Sequence, residues 1–395
     1  MTERIFITGL GAVSPAGLGV GRLWSDLLTG SQRFVPLDKL YAGMRSGTLG
    51  GRVPSDVKQK VLELSQFGTG QKKRVASAYS EHAALEALRD AGIAASDPML
   101  DDALVCVGSS DGQADVVERA VASDVQANSF GGFSSYSIAE DVANRVGARG
   151  LAFTAQSTCA SANVALSSAL EMLREGVSEV AIVGGCDIYS EKNIIGFSSL
   201  QAIGTSPCKP FSADRRYVTP AEGAGFLILQ TERSLRPEQR VYAELLAVAV
   251  SNDASHPTAP DLEGVASCHK RALIEAGIVA SDVDVIYAHG TGSRINDAIE
   301  GSIFVEQYPS ASVTAIKGTI GHLMGAAGAI GAIAACLTLS EGLVPPTVIG
   351  DGEIDPAVNL VRGNPLPVPH VRYVQNNAFG FGGNNAIAIF GSAND

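Results

Sequence analysis

The chain has 395 residues, of which 18% are charged and 46% are hydrophobic, and it contains 44 glycines. These proportions exclude a disordered or fibrous protein and favour a large, tightly packed α/β core. The net charge of −12 disfavours nonspecific binding to nucleic acid, although local basic clusters remain able to dock an acidic partner.

Short β-branched runs that end in glycine alternate with Ala- and Leu-rich helical stretches. The predicted strands are 5–8, 104–107, 180–183, 283–288, 313–316 and 386–390, and the predicted helices are 76–91, 160–175, 265–276 and 326–339. Strands this apolar are typical of sheets that helices cover on both faces. The uncharged stretch 323–339 is slightly short for a membrane span, so we expect a buried helix there.

The six cysteines are scattered, with no C-x-x-C pair. This distribution indicates neither a zinc site nor a disulfide framework, and it fits a reducing cytoplasm. The first residues show no basic segment followed by an apolar one, so no secretory signal is expected.

The polar connector 230–240 separates two portions of similar pattern. Each portion holds one strand–turn–helix whose helix starts with small residues. The length allows two domains or one large unit built from two similar halves. We predict a weak internal duplication, with halves 1–235 and 236–395 and the active site where they meet.

Cys159 lies in F-T-A-Q-S-T-C-A-S-A-N, where a strand-like run ends and a helical pattern starts. A thiol in the first turn of a helix faces unpaired N–H groups and the positive end of the dipole, which lower its pKa. Cys159 is therefore a candidate nucleophile for acyl transfer through a thioester. The alternative is a small core residue, which is common for a free cysteine.

Two further segments carry histidines. In A-H-G-T-G-S-R-I-N-D-A-I-E, His289 ends a buried strand, and Asp297 and Glu300 follow on one face of a helix. A strand-end histidine is often only structural, but α/β folds place functional groups at that edge. In A-I-K-G-T-I-G-H, Lys317 precedes His322, and a buried lysine would need Asp297 or Glu300 as a partner. Otherwise Lys317 belongs to a surface loop.

The segment N-N-A-F-G-F-G-G-N-N-A at 376–386 interleaves Phe379 and Phe381 with glycines. Its backbone is able to approach a ligand, and its amides are able to donate to an oxyanion. The P-loop lysine and the G-x-G-x-x-G pattern are both missing, so nucleotide binding is disfavoured.

These four segments resemble the β-ketoacyl-acyl carrier protein synthases of the thiolase fold, in the elongating branch with a Cys-His-His triad. The resemblance covers almost the whole chain, and it includes I-T-G-L-G-A-V-S-P-A-G, P-F-S-A-D-R, A-E-G-A-G and S-N-D-A-S-H-P-T-A-P. It implies a thiolase-like five-layered αβαβα fold built from two similar halves. It also implies decarboxylative condensation of an acyl group with malonyl carrier protein.

The resemblance assigns roles to individual residues. Cys159 carries the acyl group, and His289 and His322 polarise the carbonyl of the extender's thioester. Lys317 and Glu300, with Asp297 nearby, organise the charges, and Phe381 gates the site. The amides of Cys159 and Phe381 form the oxyanion hole. The residues implied to contact substrate are Thr258, Thr291, Ser293 and Phe379.

The implied partner is an acidic acyl carrier protein, whose phosphopantetheine arm carries the substrates. The implied docking residues are Lys72, Lys73 and Arg74, with Arg215 and Arg216 as possible additions; a solvated helix start is the alternative. The implied chemistry requires no metal or organic cofactor. Members of this family are dimers, either of identical chains or with a paralogous chain.

Several positions depart from the family pattern. Arg216 and Tyr217 stand where Asp-Gly is usual, and Asn384 replaces a threonine. Asp111 stands where an apolar residue often gates the acyl pocket. A carboxylate beside a saturated chain is costly unless it is hydrogen-bonded or solvated. We therefore hypothesise a polar, unsaturated or aryl-primed acyl chain, or a pocket that a partner subunit completes.

There are three alternatives to an elongating synthase. A thiolase would use a second cysteine in the last glycine loop, which offers none. The initiating synthases of this superfamily use an asparagine where His322 stands. A non-catalytic chain-length-factor-like subunit would usually lose the cysteine, whereas this chain keeps Cys159, both histidines and Lys317.

Overall fold

The computed structural model describes residues 3–37, 44–65, 74–122, 134–350, 352–355 and 357–393. The strands in this part of the chain are β1 (Ile5–Ser14), β2 (Gly17–Leu18), β3 (Phe34–Pro36), β4 (Leu49–Gly51), β5 (Leu104–Gly108), β6 (Ala152–Ala155), β7 (Val180–Asp187), β8 (Gly223–Thr231), β9 (Ala243–Asn252), β10 (Val285–Tyr287), β11 (Ser312–Thr314), β12 (Leu343–Val344), β13 (Leu366–Pro367), β14 (Tyr373–Gly380) and β15 (Asn384–Gly391). Eleven of them form one sheet, and β3–β4 and β12–β13 are separate pairs.

The large sheet shows the predicted internal duplication. Its order on one side is β1-β8-β7-β5-β6, and on the other side it is β9-β15-β14-β10-β11. In both, the first two pairings are antiparallel and the last two are parallel. The two sets join where Phe6 and Ile7 of β1 pair with Glu244 and Ala243 of β9. The same topology therefore occurs twice, which confirms the expectation of two similar halves.

The helices form three layers around the two sets of strands. They are α1 (Val20–Thr29), α2 (Ser55–Leu64), α3 (Val75–Asp90), α4 (Ala114–Ala122), α5 (Tyr136–Val146), α6 (Ser161–Arg174), α7 (Glu191–Ser199), α8 (Leu262–Ala276), α9 (Arg294–Gln307), α10 (Lys317–Ile320) and α11 (Ala327–Glu341). α6 and α11 pack between the strand sets, α3 and α5 cover the first set, and α8 and α9 cover the second. The result is the expected five-layered αβαβα, thiolase-like fold.

The central helix α11 is apolar on all sides because it lies between two layers of strands. Its glycines allow close packing, since a Cβ on Gly331 would lie 2.1 Å from Asn376 Oδ1. The segment Met324–Glu341 is long and apolar enough to cross a membrane, but 78% of it is buried inside the protein. This burial is what the sequence predicted for a core helix.

Candidate active site

Cys159 lies between the end of β6 and the start of α6, and it is 9% exposed. The preceding residue, Thr158, has a φ of 51°, a left-handed conformation that β-branched residues rarely adopt. The Thr158 hydroxyl donates to the Phe381 carbonyl over 3.0 Å. The carbonyl of Phe381 therefore holds this strained turn in place from a distant part of the chain. Backbone strain that distant contacts maintain is typical of functional sites.

Burial raises the pKa of the Cys159 thiol to about 12, while the charge of Lys317 acts in the opposite direction. This direction is opposite to the lowering that the sequence predicted from the helix terminus, because loss of water around the sulfur disfavours the thiolate. The neutral thiol consequently needs a base to become a nucleophile.

His322 Nε2 lies 3.1 Å from Cys159 Sγ. Burial, followed by the charge of Lys317, holds the pKa of His322 well below its usual value, so the imidazole is neutral and able to accept the thiol hydrogen. Hydrogen bonds to both backbone groups of His322 fix its main chain. Its N–H donates to Thr219 O over 2.7 Å, and its carbonyl accepts from Ala221 N over 2.8 Å.

His289 follows β10 by two residues, and its ring lies 5.3 Å from that of His322 at an interplanar angle of 86°. Burial, with the charge of Lys317, likewise lowers the pKa of His289 well below its usual value. The two neutral imidazoles meet beside Cys159, as the resemblance implied.

Lys317 is buried, and its Nζ donates to the carbonyl oxygen of His289 and lies 3.5 Å from His289 Nδ1. The expected partner was Asp297 or Glu300. Among the described residues, Lys317 has no ion pair with either carboxylate; a carbonyl receives its hydrogen bond instead. Burial lowers the pKa of Lys317, although the nearby charge of Glu300 opposes this effect.

Glu300 and Asp297 bind the backbone of the turn after His289. Glu300 accepts from His289 N over 2.8 Å and from Gly290 N over 2.7 Å. Asp297 accepts from Thr291 N over 3.1 Å and also from Gly292 N. Burial raises the pKa of Glu300 to about 7 and also raises that of Asp297. The two carboxylates therefore set the position of His289 through its main chain.

The glycine loop between β14 and β15 closes the site. A Cβ on Gly380 would lie 2.0 Å from Thr158 Oγ1 and 3.0 Å from Cys159 N. The Phe381 ring lies 5.8 Å from that of Phe197, and the Phe379 ring lies 5.7 Å from that of His289. The backbone of Gly380–Phe381 is thus packed against the nucleophile's turn.

Sequence models of the β-ketoacyl synthase N-terminal domain and C-terminal domain match residues 2–234 and 242–350. The chain belongs to the β-ketoacyl synthase family. It is 31% identical to nodulation protein E of Rhizobium meliloti (strain 1021) over 99% of both chains. It is 28% identical to 3-oxoacyl-[acyl-carrier-protein] synthase 2 of Staphylococcus aureus (strain N315) over 98% of both. A solved structure, the ishigamide ketosynthase/chain length factor, superposes with a TM-score of 0.90 at 30% identity, covering 99% of this chain and 100% of that one.

In this β-ketoacyl synthase, a cavity of about 560 Å³ reaches Cys159 and both histidines. Five predicted residues line it, namely Thr258, Thr291, Ser293, Phe379 and Phe381. Phe197 and Arg45 also line the cavity, although neither residue was assigned a role from the sequence. Tyr217 is a third cavity residue without a predicted role. It is 7% exposed, its hydroxyl accepts a hydrogen bond from Arg45 over 3.1 Å, and its ring fills the space beside Gly204. The departure from the family pattern at Arg216 and Tyr217 was the feature of the sequence that pointed to this position.

Asp111 does not line this cavity. Its side chain is 1% exposed and contacts Lys192 Nζ and Ser190 Oγ at the start of α7. The structure therefore does not place Asp111 at the gate of the described cavity, and it supplies the partners that a buried carboxylate requires. Asn384, the second departure, donates from Nδ2 to Phe381 O over 2.9 Å and so supports the glycine loop.

The predicted docking residues differ in their surroundings. Lys72 and Lys73 lie outside the described residues. Arg74 pairs with Asp141 at 2.5 Å, and its side chain is 13% exposed. Arg215 is buried and donates to Ser212 O and Asp355 O, whereas Arg216 is exposed and lines the cavity. The internal pairing of Arg74 and Arg215 opposes a docking role for either.

Proposed function

We propose that this protein is a β-ketoacyl-acyl carrier protein synthase that takes an acyl group on Cys159 and condenses it with malonyl carrier protein. The observation that carries the proposal is the 3.1 Å contact between His322 Nε2 and Cys159 Sγ, with the ring of His289 5.3 Å from that of His322. A thiol with an adjacent neutral imidazole is an activated nucleophile. A second imidazole beside them is not needed for thioester formation alone.

In the first half-reaction the thiol proton passes to His322 Nε2 as Cys159 Sγ attacks the thioester carbonyl. The carbon–sulfur bond to the carrier's phosphopantetheine breaks, and the proton leaves with the released thiol. The amides of Cys159 and Phe381 are proposed to bind the oxyanion of the tetrahedral intermediate. Support comes from Gly380, whose missing side chain lets the loop approach the Cys159 amide.

In the second half-reaction malonyl thioester replaces the first substrate. The bond between the carboxylate and the α-carbon breaks, CO2 leaves, and the electron pair moves onto the thioester oxygen. Lys317 faces His289 Nδ1, so His289 is able to present Nε2–H to this oxygen. His322 does the same in its Nε2–H tautomer. The carbanion then attacks the acyl carbonyl, the carbon–sulfur bond to Cys159 breaks, and the released thiolate takes up a proton from water. Neutral imidazoles stabilise the enolate without protonating its carbon.

The substrate arm is proposed to enter along the wall formed by Thr258, Thr291 and Ser293, which line the cavity with hydroxyl groups. Phosphopantetheine is rich in amides, so short hydroxyl side chains are suitable partners. This chemistry uses substrates carried on the arm, and we propose that it proceeds without a metal or organic cofactor, in the cytoplasm.

Docking of the acidic carrier protein is proposed at Arg216, with Arg45 and Arg294, which are exposed and line the same cavity. Arg216→Glu should weaken carrier binding, and more so at low salt. Arg240→Glu, which removes a cation that stacks on Tyr242 away from this cavity, is the matched control. Equal loss in both variants would refute the Arg216 site. Lys73→Glu tests the earlier prediction without breaking the Arg74–Asp141 pair.

A non-catalytic partner subunit is the second candidate. The observation that favours it is the likeness to a ketosynthase/chain length factor structure. The arrangement of Cys159 and both histidines favours catalysis in this chain, either as a homodimer or as the active half of a pair with a paralogue.

Mass spectrometry after incubation with acyl carrier protein substrates separates the two. We expect an acyl adduct on Cys159, absent in Cys159→Ala, and a ketoacyl product once malonyl carrier protein is added. No adduct from any donor, alone or with a paralogue, would reject the enzyme. The same assay with saturated and polar donors, in wild type and Asp111→Ala, tests the hypothesis of a non-standard acyl chain; identical preferences would reject it.

A further inference from the structure

Asp187, the last residue of β7, is fully buried and has no role in the steps above. Its carboxylate joins two segments that are distant in sequence. From the turn after β5 it accepts hydrogen bonds from Ser109 Oγ over 2.8 Å, Ser110 N over 2.9 Å and Asp111 N over 2.9 Å. From the segment that follows His322 it accepts a hydrogen bond from Gly325 N over 2.5 Å.

The turn after β5 touches the segment that carries the nucleophile. Ser161 Oγ, at the start of α6, donates to Thr158 O over 2.6 Å and lies 3.3 Å from Ser109 O. A Cβ on Gly108 would lie 2.3 Å from Ala162 N, so the end of β5 packs directly on α6. This turn therefore supports the backbone next to Cys159.

Gly325 belongs to the segment that carries the catalytic base, since it follows His322 by three residues. Met324, between them, is 4% exposed and has a φ of 50°, a left-handed conformation that is strained for a residue with a side chain. A Cβ on Gly325 would lie 2.6 Å from Ser110 N and 2.7 Å from Asp187 Oδ2. The hydrogen bond from Gly325 N holds this strained turn against Asp187.

We infer that Asp187 is a positioning residue that holds the His322 segment against the turn supporting Cys159, and so sets the distance between Nε2 and Sγ. It contacts neither the sulfur nor the cavity, so it acts only through these neighbours. This inference rests on the proposed function, in which His322 takes the proton of Cys159.

The charge of Asp187 adds a measurable signature. Its carboxylate raises the pKa of the Cys159 thiol, and burial, followed by the charge of Asp111, raises the pKa of Asp187 itself to about 6. The titratable groups around it are Asp111, which Lys192 neutralises, and the thiols of Cys159 and Cys186. Removing the charge should therefore lower the pKa of Cys159, which a purely structural residue would not do.

The test compares Asp187→Asn with Glu86→Gln in the full chain. Glu86 is a matched control, because its carboxylate also accepts two backbone N–H groups, from Ala12 and Val20, but outside the active site. In Asp187→Asn we expect condensation about 10- to 100-fold slower. We also expect alkylation of Cys159 by iodoacetamide to begin at lower pH. Glu86→Gln should change neither quantity.

A second variant approaches the same contact from the other side. Gly325→Ala should slow condensation similarly, because the added Cβ would press on Ser110 N and Asp187 Oδ2. Its effect should not add to that of Asp187→Asn, because both variants disturb the same contact. Wild-type condensation in Asp187→Asn, or equal slowing in both carboxylate variants with an unchanged alkylation profile, would overturn the inference. Absence of any acyl adduct in the wild type would reject the proposed function instead, and the alkylation profile would still test Asp187.

Discussion

The hydroxyl of Thr158 donates to the carbonyl oxygen of Phe381 over 3.0 Å, across 223 positions of sequence. The same carbonyl accepts from Asn384 Nδ2, so the backbone of Phe381 is held from two sides. Phe381 is 38% exposed, and its ring packs against that of Phe197. The loop thus combines a main chain held beside Cys159 with a partly exposed side chain that packs on Phe197.

Thr158→Val removes this hydrogen bond and keeps the side-chain shape. We expect acylation of Cys159 to slow about fivefold, because a net hydrogen bond contributes about 1 kcal/mol. Stopped-flow or quenched mass spectrometry would measure the rate. Thr154→Val, which loses the hydrogen bond from β6 to Ser135 O at the start of α5, is the control, and equal slowing there would contradict the prediction.

Gly380→Ala places a Cβ where Thr158 Oγ1 and the Cys159 amide now lie. We expect at least a 100-fold loss of acyl transfer, because a displaced oxyanion donor costs about 10²–10³ in rate. Thermal unfolding should still be cooperative, since the loop lies outside the core. Gly21→Ala, in α1 and with no atom within 4 Å of the added Cβ, is the control. Wild-type acylation in Gly380→Ala would exclude a role of this loop in the oxyanion hole.

Phe197→Ala removes the aromatic neighbour of Phe381, the residue expected to gate the site. Aromatic pairs contribute about 0.5–1.5 kcal/mol beyond burial, so the closed position of Phe381 should lose up to about 10-fold in population. We expect more malonyl decarboxylation without condensation, measured as the ratio of CO2 to ketoacyl product. Phe197→Tyr keeps the ring and should keep the ratio; the same ratio in all three proteins would refute the gating contact.

Glu300 should make stability depend on pH. Burial raises its pKa from an ordinary 4.5 to about 7, so the protonated folded form contributes stability that is fully present below pH 4.5. That contribution is lost as the pH rises towards and through about 7, at about 1.4 kcal/mol per pH unit. Urea unfolding of the wild type should therefore show a decline over this window that is weaker in Glu300→Gln.

Glu171→Gln, on the exposed surface of α6, is the control and should keep the wild-type slope. Parallel pH profiles of wild type and Glu300→Gln would show that Glu300 is ionised throughout the window. Glu300→Gln should also lose activity, since Gln offers one acceptor oxygen to the two amides of His289 and Gly290.

The sequence predicted the secondary structure around the site closely. The helix expected at 160–175 is α6, Ser161–Arg174, and that expected at 326–339 is α11, Ala327–Glu341. These elements are recognisable because long apolar or small-residue runs have few other ways to be buried. The strand expected at 283–288 is shorter, Val285–Tyr287, because the chain turns towards Glu300 soon after it.

Sequence by itself determined the duplicated α/β organisation and the candidate reactive residues, because periodicity and residue type are local properties of the chain. Tertiary structure alone decided their chemical state. It gave Lys317 a carbonyl partner, paired Asp111 with Lys192, raised rather than lowered the pKa of Cys159, and brought Asp187 between the segments of Cys159 and His322. Each of these depends on burial and on contacts between residues far apart in sequence, which no local pattern encodes.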